Sequence, residues 1–283
     1  MSDSQTTSSI QIAPAPWNLK AESAWWFLTS LMHTPKRGET LPHAYFSGLD
    51  STLRQTSTEE GAFRGGIGLV MILRYTDSPI GPYDELVIIP GEFTNPSGSH
   101  RYRITRIYVS TLSSVYNGRR NWNIPKELAK FTFTSSPNDP RITELRVFSA
   151  TSYSPVVYSS TPFFAIRINP ATWPLPAIPV DLKYSPLSLI SVQPPLDASA
   201  NSSEDGQISA SGWSMFSLGN FKGKVTPVKW EGLLTDDGPS RKPTCGKMAN
   251  GKEFPDVMPY SIGMHWKDVV IQFPLMVVPS SQS

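Results

Sequence analysis

The 283-residue chain has one cysteine, Cys245, so it forms no intrachain disulfide. Its four histidines, His33, His43, His100 and His265, never stand four residues apart, and no Cys-x-x-Cys occurs. Zinc-site spacing is therefore lacking, and no metal or metal ligand is expected. Charge is also sparse. Asp, Glu, Lys and Arg make up 17% of the chain, the net charge is +2, and no block of like charge appears. That removes the basic stripe of a nucleic-acid binder, and no nucleic-acid partner is expected. No apolar run approaches the roughly 18 residues of a membrane span, so no membrane partner is expected either. Residues 1–13 are polar and lack the basic start and apolar centre of a secretion signal. They read as a disordered tail ahead of one domain over 14–283, with the cytoplasm as the expected compartment. Asn201-Ser202-Ser203 matches a glycosylation sequon but reads as a polar loop. No Gly-x-Ser-x-Gly nucleophile elbow is present. Gly65-Gly66-Ile67-Gly68 opens a strand with no helix after it, which excludes a phosphate loop.

Turns and short strands fill the chain instead: 27 prolines and 19 glycines punctuate it. Trp17, Leu19, Ala21, Trp25, Phe27 and Leu31 share one parity. A helix competes over Ala24–Leu28, but the alternation after a proline-rich start favours a long strand. Residues 33–65 are broken by Pro35, Gly38, Pro42 and Gly48 and read as an excursion with one short helix. Ile67–Tyr75 is a buried strand, Asp77–Pro82 a turn, and Tyr83–Ile89 the returning strand of a hairpin. Tyr102–Ser110 reads as another strand, with Tyr102, Ile104, Arg106 and Tyr108 on one face. Thr111–Asn117 suits a short helix capped by Gly118. Further strands are expected at 131–134, 144–148, 156–168, 187–192, 213–218, 225–234 and 269–273, with loops at 195–207 and 235–258. This rhythm predicts a mostly β (α+β) barrel or sandwich with minor helices.

Two stretches together resemble the acetoacetate decarboxylase family. One is Tyr75-Thr76-Asp77-Ser78-Pro79-Ile80-Gly81-Pro82-Tyr83-Asp84-Glu85-Leu86, similar to the family's strand, turn and Tyr-x-Glu return. The other is Gly118-Arg119-Arg120-Asn121-Trp122-Asn123-Ile124-Pro125-Lys126-Glu127-Leu128-Ala129. The family has Gly-Arg-Glu, a spacer, a small residue, an aromatic and Pro-Lys-Lys-Leu there. Pro16-Trp17-Asn18-Leu19 is a weaker match to the family's opening strand. The resemblance implies an antiparallel cone-shaped β-barrel, an oligomer, and no organic cofactor. It makes Lys126 the amine that forms a Schiff base with a keto acid, and Glu85 an active-site carboxylate. It departs from the family where Glu127 replaces the second lysine and Arg120 the acidic residue.

An amine attacks a carbonyl only when unprotonated. A free lysine is about 0.04% neutral at pH 7, and making it half neutral takes a shift worth roughly 4–5 kcal/mol. Burial supplies shifts of that size, and acetoacetate decarboxylase is itself a standard example of a lysine so activated. Glu127 facing Lys126 would stabilise the ammonium and oppose activation. Adjacent side chains of an extended segment point to opposite faces, and with Glu127 facing solvent desolvation alone must tune the amine. On this reading Trp122 and Ile124 wall the site, and Tyr83 joins Trp122 as a candidate substrate contact. Arg119 or Arg120 binds a substrate carboxylate through its planar fork. The expected function is a lyase acting on a keto acid or related carbonyl. The alternatives are a barrel that shapes a cyclisation or isomerisation of a hydrophobic small molecule, and a non-enzymatic binding domain. A small molecule is the expected partner, with a homo-oligomer possible.

Overall fold

A computed structural model describes residues 10–34, 39–50, 61–171, 175–185, 189–197, 212–235 and 246–278. The strands are β1 (Trp17–His33), β2 (Phe63–Asp77), β3 (Tyr83–Ile89), β4 (Glu92–Thr94), β5 (His100–Tyr102), β6 (Arg106–Val109), β7 (Lys126–Ser135) and β8 (Thr143–Tyr153). They continue as β9 (Val156–Tyr158), β10 (Phe164–Pro170), β11 (Ile178–Asp181), β12 (Ile190–Gln193), β13 (Ser214–Ser217), β14 (Asn220–Gly232) and β15 (Ile262–Phe273). Among the described residues one α-helix, α1 (Leu112–Trp122), joins β6 to β7. Nine strands close on themselves in the order β1-β15-β14-β10-β8-β7-β6-β3-β2, with β2 pairing back to β1. Around this circuit only β6 and β7 run parallel, as the intervening helix requires. The remaining strands extend or flank the barrel wall.

Alternation sorts the side chains into two buried layers. Met71, Leu73 and Tyr75 of β2 join Tyr83 and Val87 of β3 and Ile107 of β6 in the barrel interior. Val70, Ile72, Leu86, Ile88 and Tyr108, of opposite parity, pack outside against Phe163, Met248 and Phe254. The expected loop at 235–258 thus contributes its described part, 246–258, as a cover over the wall. Tyr108 fastens it by donating its hydroxyl to the Glu253 carbonyl at 2.7 Å. Burial on both faces is why Val70–Leu73 reads as an unbroken apolar run ahead of the half-buried Arg74.

The single parity expected along β1 fails at Glu22. Trp17, Leu19 and Ala21 face the interior, but so do Ala24 and Trp26, while Trp25 and Phe27 face outward. The β1–β2 register shifts around Ala21–Ser23, and the β14–β15 register shifts between Lys222 and Lys224. Asp268, close to both, has a left-handed φ of 53°. One extra residue inverts every later side chain, which periodicity alone does not reveal.

Three further expectations change. Tyr102–Ser110 is not one strand: it breaks at Arg103, which is buried in an ion pair with Asp50. The helix passes through Gly118 and ends at Trp122. Residues 10–13, expected in the tail, lie against α1: Ala13 is buried, its N–H donates to Asn117 Oδ1 at 2.8 Å, and its carbonyl accepts from Asn121 Nδ2 at 2.9 Å. The sequon at Asn201 lies outside the described residues.

On β15, His265 stacks on Trp25 with centroids 5.0 Å apart, and its Nε2 lies 3.0 Å from Ser23 Oγ. Burial, with help from Lys267, pushes its imidazole down to about 4. The unfolded chain, whose histidine titrates near 6.5, therefore binds the extra proton first. The stability due to neutral His265 is complete above pH ~6.5 and is lost as pH falls towards ~4, by roughly 2–3 kcal/mol. Urea unfolding of the wild type and His265→Gln at pH 7 and pH 4.5 should show a smaller acid loss in the variant. Equal losses would contradict this assignment.

Candidate active site

The site is built by α1 and the turn after it. Thr111 caps the helix, its side chain accepting from the Ser114 N–H at 3.3 Å. Ser114, Gly118 and Trp122 are spaced four apart and form one stripe turned towards the barrel. Asn123 ends the helix in the left-handed conformation (φ 55°), returning its N–H to the Arg119 carbonyl at 3.1 Å. Asn is one of the few side chains that accept this geometry readily, and Pro125 prevents the helix from resuming. Lys126 therefore starts β7, opposite Ile107 of β6. Arg119 Nε donates to the Lys126 carbonyl at 2.9 Å and fixes the start of the strand.

Gly118 is not the expected cap but a clearance. A Cβ there would stand 2.7 Å from Lys126 Cε and closer still to Cδ. The lysine side chain runs beneath the helix through the space this glycine leaves, and its side chain is 5% exposed. Its ammonium donates to Glu85 Oε2 at 2.9 Å and to Ser114 Oγ at 3.1 Å, and lies 5.2 Å from the Tyr83 ring centre. Glu85 comes from β3, between Leu73 and Val109 on the neighbouring strands. Its second oxygen accepts from the Tyr75 hydroxyl at 3.4 Å. The rings of Tyr75 and Tyr83 lie 4.5 Å apart. Burial, then the charge of Glu85, pushes both phenols well above their usual range, so they remain neutral at physiological pH.

Lys126, Glu85, Tyr75 and Tyr83 line one cavity of about 40 Å³. Trp17, Trp122, Ile124 and Phe221 are among its apolar walls. Every lining residue except Phe273 is buried. A water needs about 10–15 Å³ of such space, so the cavity admits small molecules or the tip of a larger one. Trp122 reaches it from the last turn of the helix rather than from an extended segment, held by its indole N–H on the Pro274 carbonyl at 2.8 Å.

Of the sequence-derived candidates, Lys126, Glu85, Tyr83 and Trp122 therefore meet, and the two arginines do not join them. Arg119 is buried but spends its Nε on the Lys126 carbonyl, and Arg120 lies towards the surface against Tyr116. Neither lines the cavity. They follow Gly118 by one and two residues, which turns them about 100° and 200° around the helix. Glu127 points to the outer layer, opposite Tyr108, whose hydroxyl is pushed up first by burial and then by the Glu127 charge. The carboxylate that meets Lys126 is Glu85. Ser114 and Tyr75 were missed. The four-residue spacing of Ser114 to Gly118 and Trp122 was the available signal for the first.

Comparison with solved structures decides the architecture. The acetoacetate decarboxylase of Legionella pneumophila superimposes over 98% of this chain and 93% of its own, with a TM-score of 0.55 at 11% identity. The chain has the acetoacetate decarboxylase-like fold. A second acetoacetate decarboxylase structure aligns over 94% of the chain, also at TM-score 0.55 and 11% identity. The enduracididine biosynthesis enzyme MppR, solved with pyruvate, aligns over 99% at TM-score 0.50 and 11% identity. No family model matches the chain. Among curated proteins it is similar to Protein NEOXANTHIN-DEFICIENT 1 of rice, 35% identical over 75 residues, and of Arabidopsis thaliana, 33% identical over 82. Those matches cover 26% and 28% of this chain and span only about a quarter of the relatives' own length, 24% and 29%. A fold hosts many chemistries, so the residues of the acetoacetate decarboxylase-like barrel here must carry the functional argument.

The clearance at Gly118 gives a test. Gly118→Ala should lower stability by about 1–3 kcal/mol, because the methyl enters space held by the lysine stem. On an exposed helix position the same change would stabilise, through helix propensity. A rise in melting temperature would show that the lysine does not run beneath the helix.

Proposed function

We propose that this chain is a lyase-type enzyme that activates a carbonyl compound, a keto acid or a related carbonyl, as a Schiff base on Lys126. The observation that carries this reading is a buried lysine held 2.9 Å from a buried carboxylate on the wall of an apolar cavity. Filling that cavity with substrate removes remaining water, which disfavours separated charges. The Nζ proton then has a short path to Glu85 Oε2, leaving a neutral amine and a carboxylic acid. The amine attacks the carbonyl carbon, and water leaves as the iminium forms. The departing water carries off the proton held by Glu85, which is again a carboxylate. Carbon dioxide, or an aldehyde whose hydroxyl proton passes to Glu85, then leaves the adjacent carbon, and the electron pair of the broken bond flows to the iminium nitrogen, giving an enamine. The enamine carbon takes its proton from solvent after loss of carbon dioxide, or from Glu85 after loss of an aldehyde, and hydrolysis restores the amine. Ser114 and the Tyr75 hydroxyl hold the lysine and carboxylate in register.

The complete salt bridge also favours a second reading. Here Lys126 and Glu85 form the polar floor of a site for a hydrophobic small molecule whose cyclisation or isomerisation the barrel shapes without covalent chemistry. The two readings separate at Lys126→Ala, which abolishes the first and spares binding in the second.

Borohydride trapping with a panel of keto acids and other ketones, followed by peptide mass mapping, should place the adduct on Lys126, and Lys126→Ala should remove it. Adducts confined to exposed lysines across the whole panel would overturn the covalent reading.

A further inference from the structure

Tyr75 and Tyr83 line a second space besides the cavity. On their outer side lies a cleft of about 370 Å³, formed with Glu22, Arg74, Thr76, Pro82, Asp84 and Ser110. The two rings, tilted 32° to one another, are thus a common wall between the Lys126 cavity and a surface depression. Thr76, at the rim of the cleft, is exposed, whereas both rings are buried. The inner cavity, about 40 Å³, is an order of magnitude smaller than an ordinary ligand pocket. Any substrate larger than a few atoms must extend beyond it, and the cleft is the adjoining space.

The charges along this path are informative. Arg74 is the single cation lining the cleft, and it faces two carboxylates: Nη1 lies 3.0 Å from Glu22 Oε1 and Nε 3.3 Å from Asp84 Oδ1. Its guanidinium also sits 4.1 Å over the Phe133 ring. The ionised cleft therefore carries one excess negative charge. Inside, Lys126 and Glu85 cancel each other. A substrate carboxylate would find no cation lining either space beyond the two already paired to protein carboxylates. The arginines of the helix do not supply one, since neither lines the cavity or the cleft.

We propose that the cleft outside Tyr75 and Tyr83 is the outer half of the substrate site, reached by parting the two rings, and that it selects a carbonyl compound whose outer end is uncharged or cationic. The carbonyl tip passes between the phenols to Lys126, while the rest of the molecule stays in the cleft among Thr76, Ser110 and the Glu22 and Asp84 carboxylates. This rests on Lys126 as the amine that meets the carbonyl, and it narrows the substrate by excluding small free keto acids as the preferred class.

The test reads the reach of Lys126 rather than turnover. The full-length protein is incubated with cyanoborohydride and either acetone, which is uncharged, or pyruvate, which is anionic. Alkylation of Lys126 is quantified by peptide mapping and divided by that of Lys252, an exposed lysine on the cover segment. This ratio cancels the intrinsic reactivity of each probe. The normalised rate for acetone should exceed that for pyruvate at least several-fold. Glu22→Gln combined with Asp84→Asn should raise the pyruvate ratio several-fold, and by more than it changes the acetone ratio. Thr76→Trp, a surface change that fills the cleft, should slow both probes, and Tyr83→Leu should speed both. Unchanged labelling in Thr76→Trp and Tyr83→Leu, including none in any variant, would overturn the route. Equal normalised rates for the two probes would overturn the charge preference. Labelling with the expected pattern but no turnover on any carbonyl would leave the route standing and count only against the lyase reading.

Discussion

An ion pair between Lys126 and Glu85, buried inside an apolar barrel, is the interaction around which this end of the molecule is arranged. Each charge costs several kcal/mol to remove from water, and a close contact with further hydrogen bonds is needed to offset it. The structure supplies those bonds: Ser114 to the ammonium, Tyr75 to the carboxylate, and the Tyr83 ring beneath the cation. The backbone is shaped to permit the contact. Gly118 leaves room for the lysine stem, Asn123 and Pro125 turn the helix into a strand, and the parallel pairing of β6 with β7 brings Lys126 beside the strand neighbouring Glu85. A pair so costly is poor evidence for stability alone, and its position on a cavity wall is what gives it a functional reading.

Solved neighbours at 11% identity agree on the fold and are silent on the chemistry. The local departures are informative. Where the family places a second lysine, this chain has Glu127, and strand alternation sends that carboxylate to the outer layer opposite Tyr108. The carboxylate within hydrogen-bond distance of the amine is Glu85, on a different strand. On the proposed covalent reading, proton transfer within the pair, driven by exclusion of water, is the route to a neutral amine.

Much of this was legible in the chain itself. The hairpin of Tyr75–Glu85 and the Pro-Lys turn carry the site; the hairpin stands out by its turn chemistry and apolar strands, the Pro-Lys turn by its resemblance to the acetoacetate decarboxylase motif. Regular short strands pointed to a barrel or a sandwich, and the family resemblance implied the barrel. What stayed hidden had physical reasons. The inversion in β1 needs one extra residue near Glu22, and a bulge has no composition. Gly118 looks the same in sequence as a cap and as a clearance; only the lysine running past it tells them apart. One of the two arginines was expected at a substrate carboxylate for its planar fork, whereas their helical phase relative to Ser114, Gly118 and Trp122 turns both away from the cavity. Tyr75 became a site residue because the hairpin register sets it opposite Tyr83.

The central claim is that Lys126 and Glu85 are one coupled, buried pair on which the carbonyl site depends. A double-mutant cycle measures this directly, with unfolding free energies for Lys126→Met, Glu85→Leu and the double variant. Each single change should cost about 3–5 kcal/mol, because it leaves an uncompensated buried charge, while the double variant should recover most of that loss. Losses that simply add would show that the two side chains do not share one buried contact, and would contradict the account.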